Sequence, residues 1–130
     1  LAILDYAPAM RGAGVSAETK HSAFSGRAFR VIDGDTVERN DERIRISNID
    51  TPETGSRASY QSERLLADRA ERAARDAFRR AAEVQIQRSG TDRYGRTLAH
   101  IRLDGRDFGG MMIAQDLAAP WRGGQHDWCR

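Results

Sequence analysis

Asp33 and Asp35 in VIDGDTV, with Asp50 and Glu53 in IRISNIDTPE, set four carboxylates near the ends of two runs that read as strands, and Arg45 stands on the approach to the second. Carboxylates that converge repel one another, so the group is stable only with a bound cation, a shared proton or arginines close by. Hard oxygen ligands of this kind suit Ca²⁺ or Mg²⁺, and Ca²⁺ tolerates irregular geometry better. The Thr51 carbonyl, beside Pro52, offers one more oxygen. Glu53, on a loop three residues past Asp50, can orient or deprotonate a water for in-line attack on phosphorus. Charge gathering on phosphoryl oxygens in the transition state needs fixed cations aimed at it. Arg45 and Arg96 are the candidates, since Arg45 faces away from Ile44 and Ile46 and Arg96 follows Gly95 out of a polar turn. Singly, each aspartate also suits turn and capping chemistry; together they point to a metal-assisted phosphoryl site.

The elements that must position these groups can be read from periodicity. Residues 1–25 are rich in Ala, Gly and Ser without a period and read as a loosely ordered arm; the domain is expected to span residues 26–130. Arg27 to Val37 favours a strand with a bulge at Gly34, and Asn40 and Asp41 turn the chain into a returning strand from Arg43 to Ile49. TPETGSRAS is a loop, because a residue before proline is pushed to an extended conformation. A helix is predicted from Ser59 to Ala82, with Leu66, Ala70, Ala73, Ala77 and Ala81 on its apolar stripe. A short strand containing Val84 and Ile86 follows, then a loop SGTDRYGR and a strand from Thr97 to Leu103. Asp104 and Gly105 signal a hairpin into Arg106 to Phe108, before a short helix from Gly110 to Leu117.

Composition narrows the partners less than the motifs do. The chain has 130 residues, a net charge of +2 and a pI near 9.1, a balance too mild to demand a polyanionic partner. Its cations are 20 arginines and the single Lys20, and the guanidinium fork suits bidentate phosphate contacts, although genomic base composition can produce the same excess. One cysteine, Cys129, excludes a disulfide within the chain and a cysteine-based zinc site. His21, His100 and His126 have no ligand spacing. No apolar run approaches the roughly 18 residues of a membrane span.

The stretches VIDGDTV, RIRISNIDTPE and TDRYGRTLAHIRLDG, in this order and with a helix between the second and third, resemble those of the staphylococcal nuclease (thermonuclease) family from about Phe29 to Ala118. The resemblance implies an α+β fold, mainly a five-stranded OB-type barrel, with one long and one or two short helices packed against it. It implies Ca²⁺-dependent hydrolysis of DNA and/or RNA phosphodiesters with low sequence specificity, leaving 3′-phosphate products. By position, Asp35 and Asp50 are then the Ca²⁺ ligands with the Thr51 carbonyl, and Asp33 assists. Glu53 handles water, while Arg45 and Arg96 grip the phosphate. Arg93 and Tyr94 match positions that hold a terminal phosphate.

Three departures from the family pattern stand out. The hairpin between Thr36 and Arg45 is short, Asp116 replaces a helix-ending glycine, and APWRGGQHDWCR replaces a longer helical tail. Trp121 is the candidate aromatic platform for a base there, stacking being tolerant of ring type. The rival reading is a catalytically inactive module that keeps the barrel and binds nucleic acid or protein. It gives no reason for Asp35, Asp50, Glu53, Arg45 and Arg96 to occur together. A monomer is expected, and export to the periplasm or medium, with a leader not visible in this chain, since broad nuclease activity is hazardous inside a cell.

Overall fold

Val37, Ile44 and Ile46 are fully buried, while Glu38, Arg39 and Arg45 between and around them stay partly exposed, as strands with one covered face require. A computed structural model describes residues 23–52 and 61–123. The elements in order are β1 (Ala23–Phe24), a 3-10 turn (Gly26–Ala28), β2 (Arg30–Asp33), β3 (Thr36–Arg39), β4 (Glu42–Ile46), β5 (Ile49–Asp50), α1 (Gln61–Arg80), β6 (Val84–Thr91), β7 (Thr97–Leu103), β8 (Arg106–Asp107), α2 (Phe108–Ala114) and β9 (Ala119–Pro120). The main sheet runs β1-β6-β7-β4-β3-β2 with β8 beside β7, and β5 pairs with β9 in a separate ribbon. All pairs are antiparallel except β4 with β7, where Ile44, Arg45 and Ile46 lie opposite Thr97, Leu98 and Ala99.

The fold is therefore α+β and OB-like, its five main strands being β2, β3, β4, β6 and β7. Among the described residues no ladder joins β2 to β6, so the expected barrel remains an open, curved sheet. Helix α1 packs against β2 and the 3-10 turn at that side. Gly26 makes this approach possible: its amide bonds the Ala81 carbonyl at 3.0 Å, and a Cβ there would fall 1.8 Å from the Phe78 carbonyl oxygen.

An aromatic column organises the core. Phe78 packs against Phe29 at 5.5 Å and Phe108 at 5.2 Å between ring centres, and Phe24 meets Phe29 at 6.3 Å. Because Phe78 is the largest apolar group on α1, it sets the helix's rotation. The buried stripe is Glu63, Ala67, Ala70, Ala74 and Phe78, one position round from the predicted one, with Ala73 and Ala77 only partly covered. The predicted Ser59 start lies outside the described residues.

Other boundaries move for local reasons. The single strand predicted from Arg27 to Val37 is two strands joined at Gly34–Asp35, with the pairing register shifting between Val31 and Asp33. Ser89 to Thr91, read as loop, extend β6. Helix α2 starts at Phe108, two residues early, because the Asp107 carboxylate accepts the Gly110 amide at 2.7 Å and caps it. Ala23 and Phe24 pair with β6, ahead of the predicted boundary at Gly26; residues 1–22, the remainder of the predicted arm apart from Ser25, lie outside the described residues. The turns predicted at Asn40–Asp41 and Asp104–Gly105 adopt the left-handed geometry of two-residue hairpins, with φ of 49° and 65°, and of 52° and 83°. No described helix is long and apolar enough to cross a membrane.

Candidate functional site

Asp35 sits at a crossing of chain segments. It follows Gly34 in the β2–β3 turn and is buried, and its own carbonyl accepts the Ile46 amide at 2.8 Å, tying the turn to the end of β4. Its Oδ1 accepts from the Thr36 hydroxyl at 3.0 Å, and its Oδ2 from the Thr51 amide at 3.3 Å. Arg45, opposite Thr36 on the β3–β4 ladder, brings its Nη2 to 3.6 Å from the same Oδ2. Gly34 lets these segments close up. A Cβ at that position would meet the Ala70 and Thr51 side chains at 3.0 Å, so the turn lies directly between α1 and Thr51.

Arg45 is held by more than its counter-ion. Its Nη1 donates to the Ile49 carbonyl at 2.8 Å and to the Ile46 carbonyl, and its Cζ lies 5.4 Å from the centre of the Trp121 ring. The side chain is only 11 % exposed. Trp121 is anchored in turn by its amide, which donates to the Asn48 carbonyl at 3.0 Å just past the β5–β9 ribbon. Asp50 and Thr51 are both buried at the end of β5. Thus Asp35, Arg45, Thr51 and Trp121, from four separate stretches, meet in one place, with Asp50 next along the chain from Thr51.

Asp33 adjoins Asp35. Its Oδ1 accepts the Asp35 amide at 3.2 Å, and its carboxyl interacts with the side chains of Asp35 and Thr36. Burial, reinforced by the charge of Asp35, pushes the Asp33 carboxyl up to about 7. Among the described residues, no three acidic, histidine or cysteine side chains gather closely enough to hold a metal ion. The oxygens that the family resemblance assigns to one are the Asp35 and Asp50 carboxylates and the Thr51 carbonyl, with Asp33 beside Asp35. They are hard oxygens without sulfur or imidazole, and they fit Ca²⁺ in type. Glu53 lies outside the described residues.

Arg96 belongs to a second group. In the loop between β6 and β7, Asp92 accepts the Tyr94 and Arg96 amides, each at 2.9 Å, and the Arg96 Nε at 2.8 Å. Burial raises the Asp92 carboxyl, but these bonds from Arg96 and Tyr94 outweigh it and hold it below the usual carboxylate value. Tyr94 is exposed, with the guanidiniums of Arg93 and Arg96 at 5.1 and 5.5 Å from its ring, and Arg93 donates to its hydroxyl at 2.9 Å. The three residues thus form one exposed cationic and aromatic knob. Arg96 makes its contacts with Asp92 and Tyr94.

Two further features escape sequence reading. Glu42, at the start of β4, accepts two hydrogen bonds from Arg88 and one from the Thr97 hydroxyl, from partners 46 and 55 residues away. Glu63 is buried in the first turn of α1. No local signal marks either one. His100, by contrast, is simply exposed on the outer face of β7.

An open, OB-like sheet gathers the buried Asp35 and Asp50 carboxylates and Arg45 at the β3–β4 and β5 ends, with Arg93 and Arg96 in the loop beyond β6. Residues 43–126 match the family model described as staphylococcal nuclease homologue, and the chain belongs to that family. It is similar to a micrococcal nuclease of Shigella flexneri, 38 % identical over 79 residues that make up 58 % of this chain and 40 % of that protein. It is also similar to a thermonuclease of Staphylococcus intermedius, 33 % identical over 103 residues, covering 68 % of this chain and 55 % of the relative. The chain spans about half the length of these curated relatives. The matched span takes in Arg45, Asp50 and Arg96 and begins after Asp35, whose place in the site rests on its contacts with Thr51 and Arg45.

Proposed function

We propose that this chain carries a Ca²⁺-dependent nuclease that hydrolyses phosphodiester bonds of DNA and/or RNA with low sequence specificity and leaves 3′-phosphate products. The observation that supports it most is the buried pairing of Asp35 with both Arg45 and the Thr51 amide. It puts a candidate cation ligand and a candidate phosphate ligand side by side in a member of a nuclease family.

Asp35, Asp50 and the Thr51 carbonyl would hold the cation, with Asp33 assisting. When bound, the cation neutralises phosphoryl charge and favours a reactive water. Glu53 accepts a proton from the attacking water at a carboxylate oxygen. Arg45 donates from its guanidinium to a non-bridging phosphoryl oxygen, already desolvated and aligned by the Ile46 and Ile49 carbonyls. The P–O5′ bond breaks as the new P–O bond forms, and Arg96 meets the charge that develops at the departing oxygen. With its Nε on Asp92, Arg96 has its two Nη nitrogens to offer the substrate. Arg93 and Tyr94 bind a flanking phosphate, and Trp121 offers a ring to a base. An activity of this breadth is compatible with an exported protein.

Digestion of single-stranded DNA with Ca²⁺, with Mg²⁺ and with chelator tests the proposal. Cleavage is expected with Ca²⁺ and not with chelator, and Glu53→Gln should slow it strongly. Intact substrate under all conditions would refute the enzyme reading, and cleavage that survives chelation would refute the metal.

A further inference from the structure

Three hydrogen bonds join Glu42 to Arg88 and Thr97 and so link the first and second halves of the sheet. The Glu42 carboxylate receives Arg88 Nε at 2.8 Å and Nη2 at 2.7 Å, a two-pronged pairing that fixes both distance and plane. One of the same oxygens receives the Thr97 hydroxyl at 2.8 Å. Glu42 is thereby bonded to β6 and β7 at once, two residues before β4 and β7 begin their parallel register at Ile44 and Thr97.

The location bears on the two arginines. Arg45 is three residues beyond Glu42 on β4, and Arg96 directly precedes Thr97 on β7. The loop between β6 and β7 is closed on itself by Asp92, whose amide bonds the Arg96 carbonyl at 2.9 Å, so it moves as a unit with the strand ends that carry it. Those ends are loosely built. The β6–β7 register shifts between Arg88 and Gly90, Gly90 has a φ of 148°, and Ser89 to Thr91 are exposed. Backbone pairing fastens this hairpin to β4 from Thr97 onward, so the bulged, exposed tip ahead of Thr97 depends on side chains to hold it against β4. Only Glu42 reaches across from β4 with side-chain hydrogen bonds to both of its strands among the described residues.

We propose that Glu42 is a positioning residue that, through Arg88 and Thr97, fastens the β6–β7 tip to β4 and so sets the distance from Arg96 to Arg45. The proposal rests on the functional reading above. Misplacement of a substrate-binding group by about 1 Å is enough to cost up to a hundredfold in rate, so a clamp remote from the phosphate can govern the chemical step. A carboxylate with a merely structural role would change the melting temperature and leave the rate alone.

The test compares wild type with Glu42→Gln and Arg88→Ala, each also combined with Arg96→Ala, on single-stranded DNA with Ca²⁺. Each single change is expected to lower kcat about tenfold with KM within about twofold. In the Arg96→Ala background neither should lower kcat further, because the residue being positioned is gone. Amide exchange of residues 91–98 should quicken in both variants, read without any activity. Effects that multiply with Arg96→Ala, or exchange rates equal to wild type, would overturn the clamp while leaving the nuclease reading standing. An inert wild type would overturn the nuclease reading, and the clamp's catalytic role with it.

Discussion

The Trp121 ring lies over the guanidinium of Arg45, 5.4 Å from ring centre to Cζ, and its indole is still about half exposed. A residue expected to stack on a base therefore also touches the arginine expected to stabilise the transition state. Loss of a purely base-stacking ring raises KM; loss of a ring that steadies Arg45 also lowers kcat. Trp121→Ala is expected to raise KM and to lower kcat about twofold to fivefold, the size of a cation–π contact of about 0.5–1 kcal/mol. Trp121→Phe should restore most of kcat. Steady-state kinetics on single-stranded DNA separates the two effects, and an unchanged kcat in Trp121→Ala would leave base stacking as its whole role.

Arg45 makes its contacts through different nitrogens, Nη1 to the Ile49 carbonyl and Nη2 to Asp35. A lysine cannot make both and still present a second prong to phosphate. Arg45→Ala is expected to reduce kcat by about two orders of magnitude or more, since such contacts are commonly worth about 3 kcal/mol or more. Arg45→Lys should remain at least about a hundredfold impaired. A lysine variant close to wild type would show that charge alone suffices.

What was legible in the sequence divides along physical lines. Features fixed by neighbours in the chain appear as expected: Asn40–Asp41 and Asp104–Gly105 turn, Thr97–Leu103 is a strand, and Val84 and Ile86 are buried. Features fixed by packing do not. Alanines at many positions of α1 make several apolar stripes nearly equivalent, and the choice falls to Phe78, whose partners Phe29 and Phe108 are far away in sequence. The site divides in the same manner. Asp35, Asp50 and Arg45 declare themselves by motif, whereas the Glu42–Arg88–Thr97 contact joins residues with no individual signature. Arg96 shows a third case, being recognisable by type while its resting partner, Asp92, is set by the fold of a five-residue turn.

Asp116 has a φ of 60° at the end of α2, where the Asp116 and Leu117 amides bond the Ile113 and Met112 carbonyls at 3.0 Å. This is the left-handed helix ending that glycine adopts without strain and aspartate does not. The Asp116 side chain is exposed, so little is lost with it. Asp116→Gly should stabilise the fold by about 0.5–1 kcal/mol, measured by denaturant unfolding, and Asp116→Val should destabilise it. A destabilised glycine variant would mean that the carboxylate contributes more than its backbone costs.

Gly26 presents the opposite case, a position where any side chain collides with backbone. With a Cβ 1.8 Å from the Phe78 oxygen and 2.9 Å from that of Ala81, α1 must shift away from the 3-10 turn. The aromatic column would open with it. Gly26→Ala is expected to lose about 2–3 kcal/mol, as overpacking against an unyielding neighbour does. Thermal unfolding reads this directly, and a melting temperature within 1–2 °C of wild type, roughly under 0.5 kcal/mol, would show that the helix end yields easily.

The Glu42 network also makes a prediction about acid. Hydrogen bonds from Arg88 are the largest influence on the Glu42 carboxyl; burial opposes them, and the Thr97 hydroxyl and the charges of Arg88 and Arg39 add to them, leaving its pKa below the ordinary 4.5. A carboxylate whose pKa is lowered by folding stabilises the fold above its unfolded value, and that stabilisation disappears as pH falls through the folded value. With the Arg88 and Glu42 side chains 39 % and 29 % exposed, solvent screening keeps the whole effect within about 1 kcal/mol. Wild type should therefore melt above Glu42→Gln at pH 7, with the gap narrowing as pH falls below about 4.5. High salt should narrow the pH 7 gap for the same reason. A gap that persists unchanged to pH 3 would show that Glu42 stabilises by shape and neutral hydrogen bonding rather than by its charge.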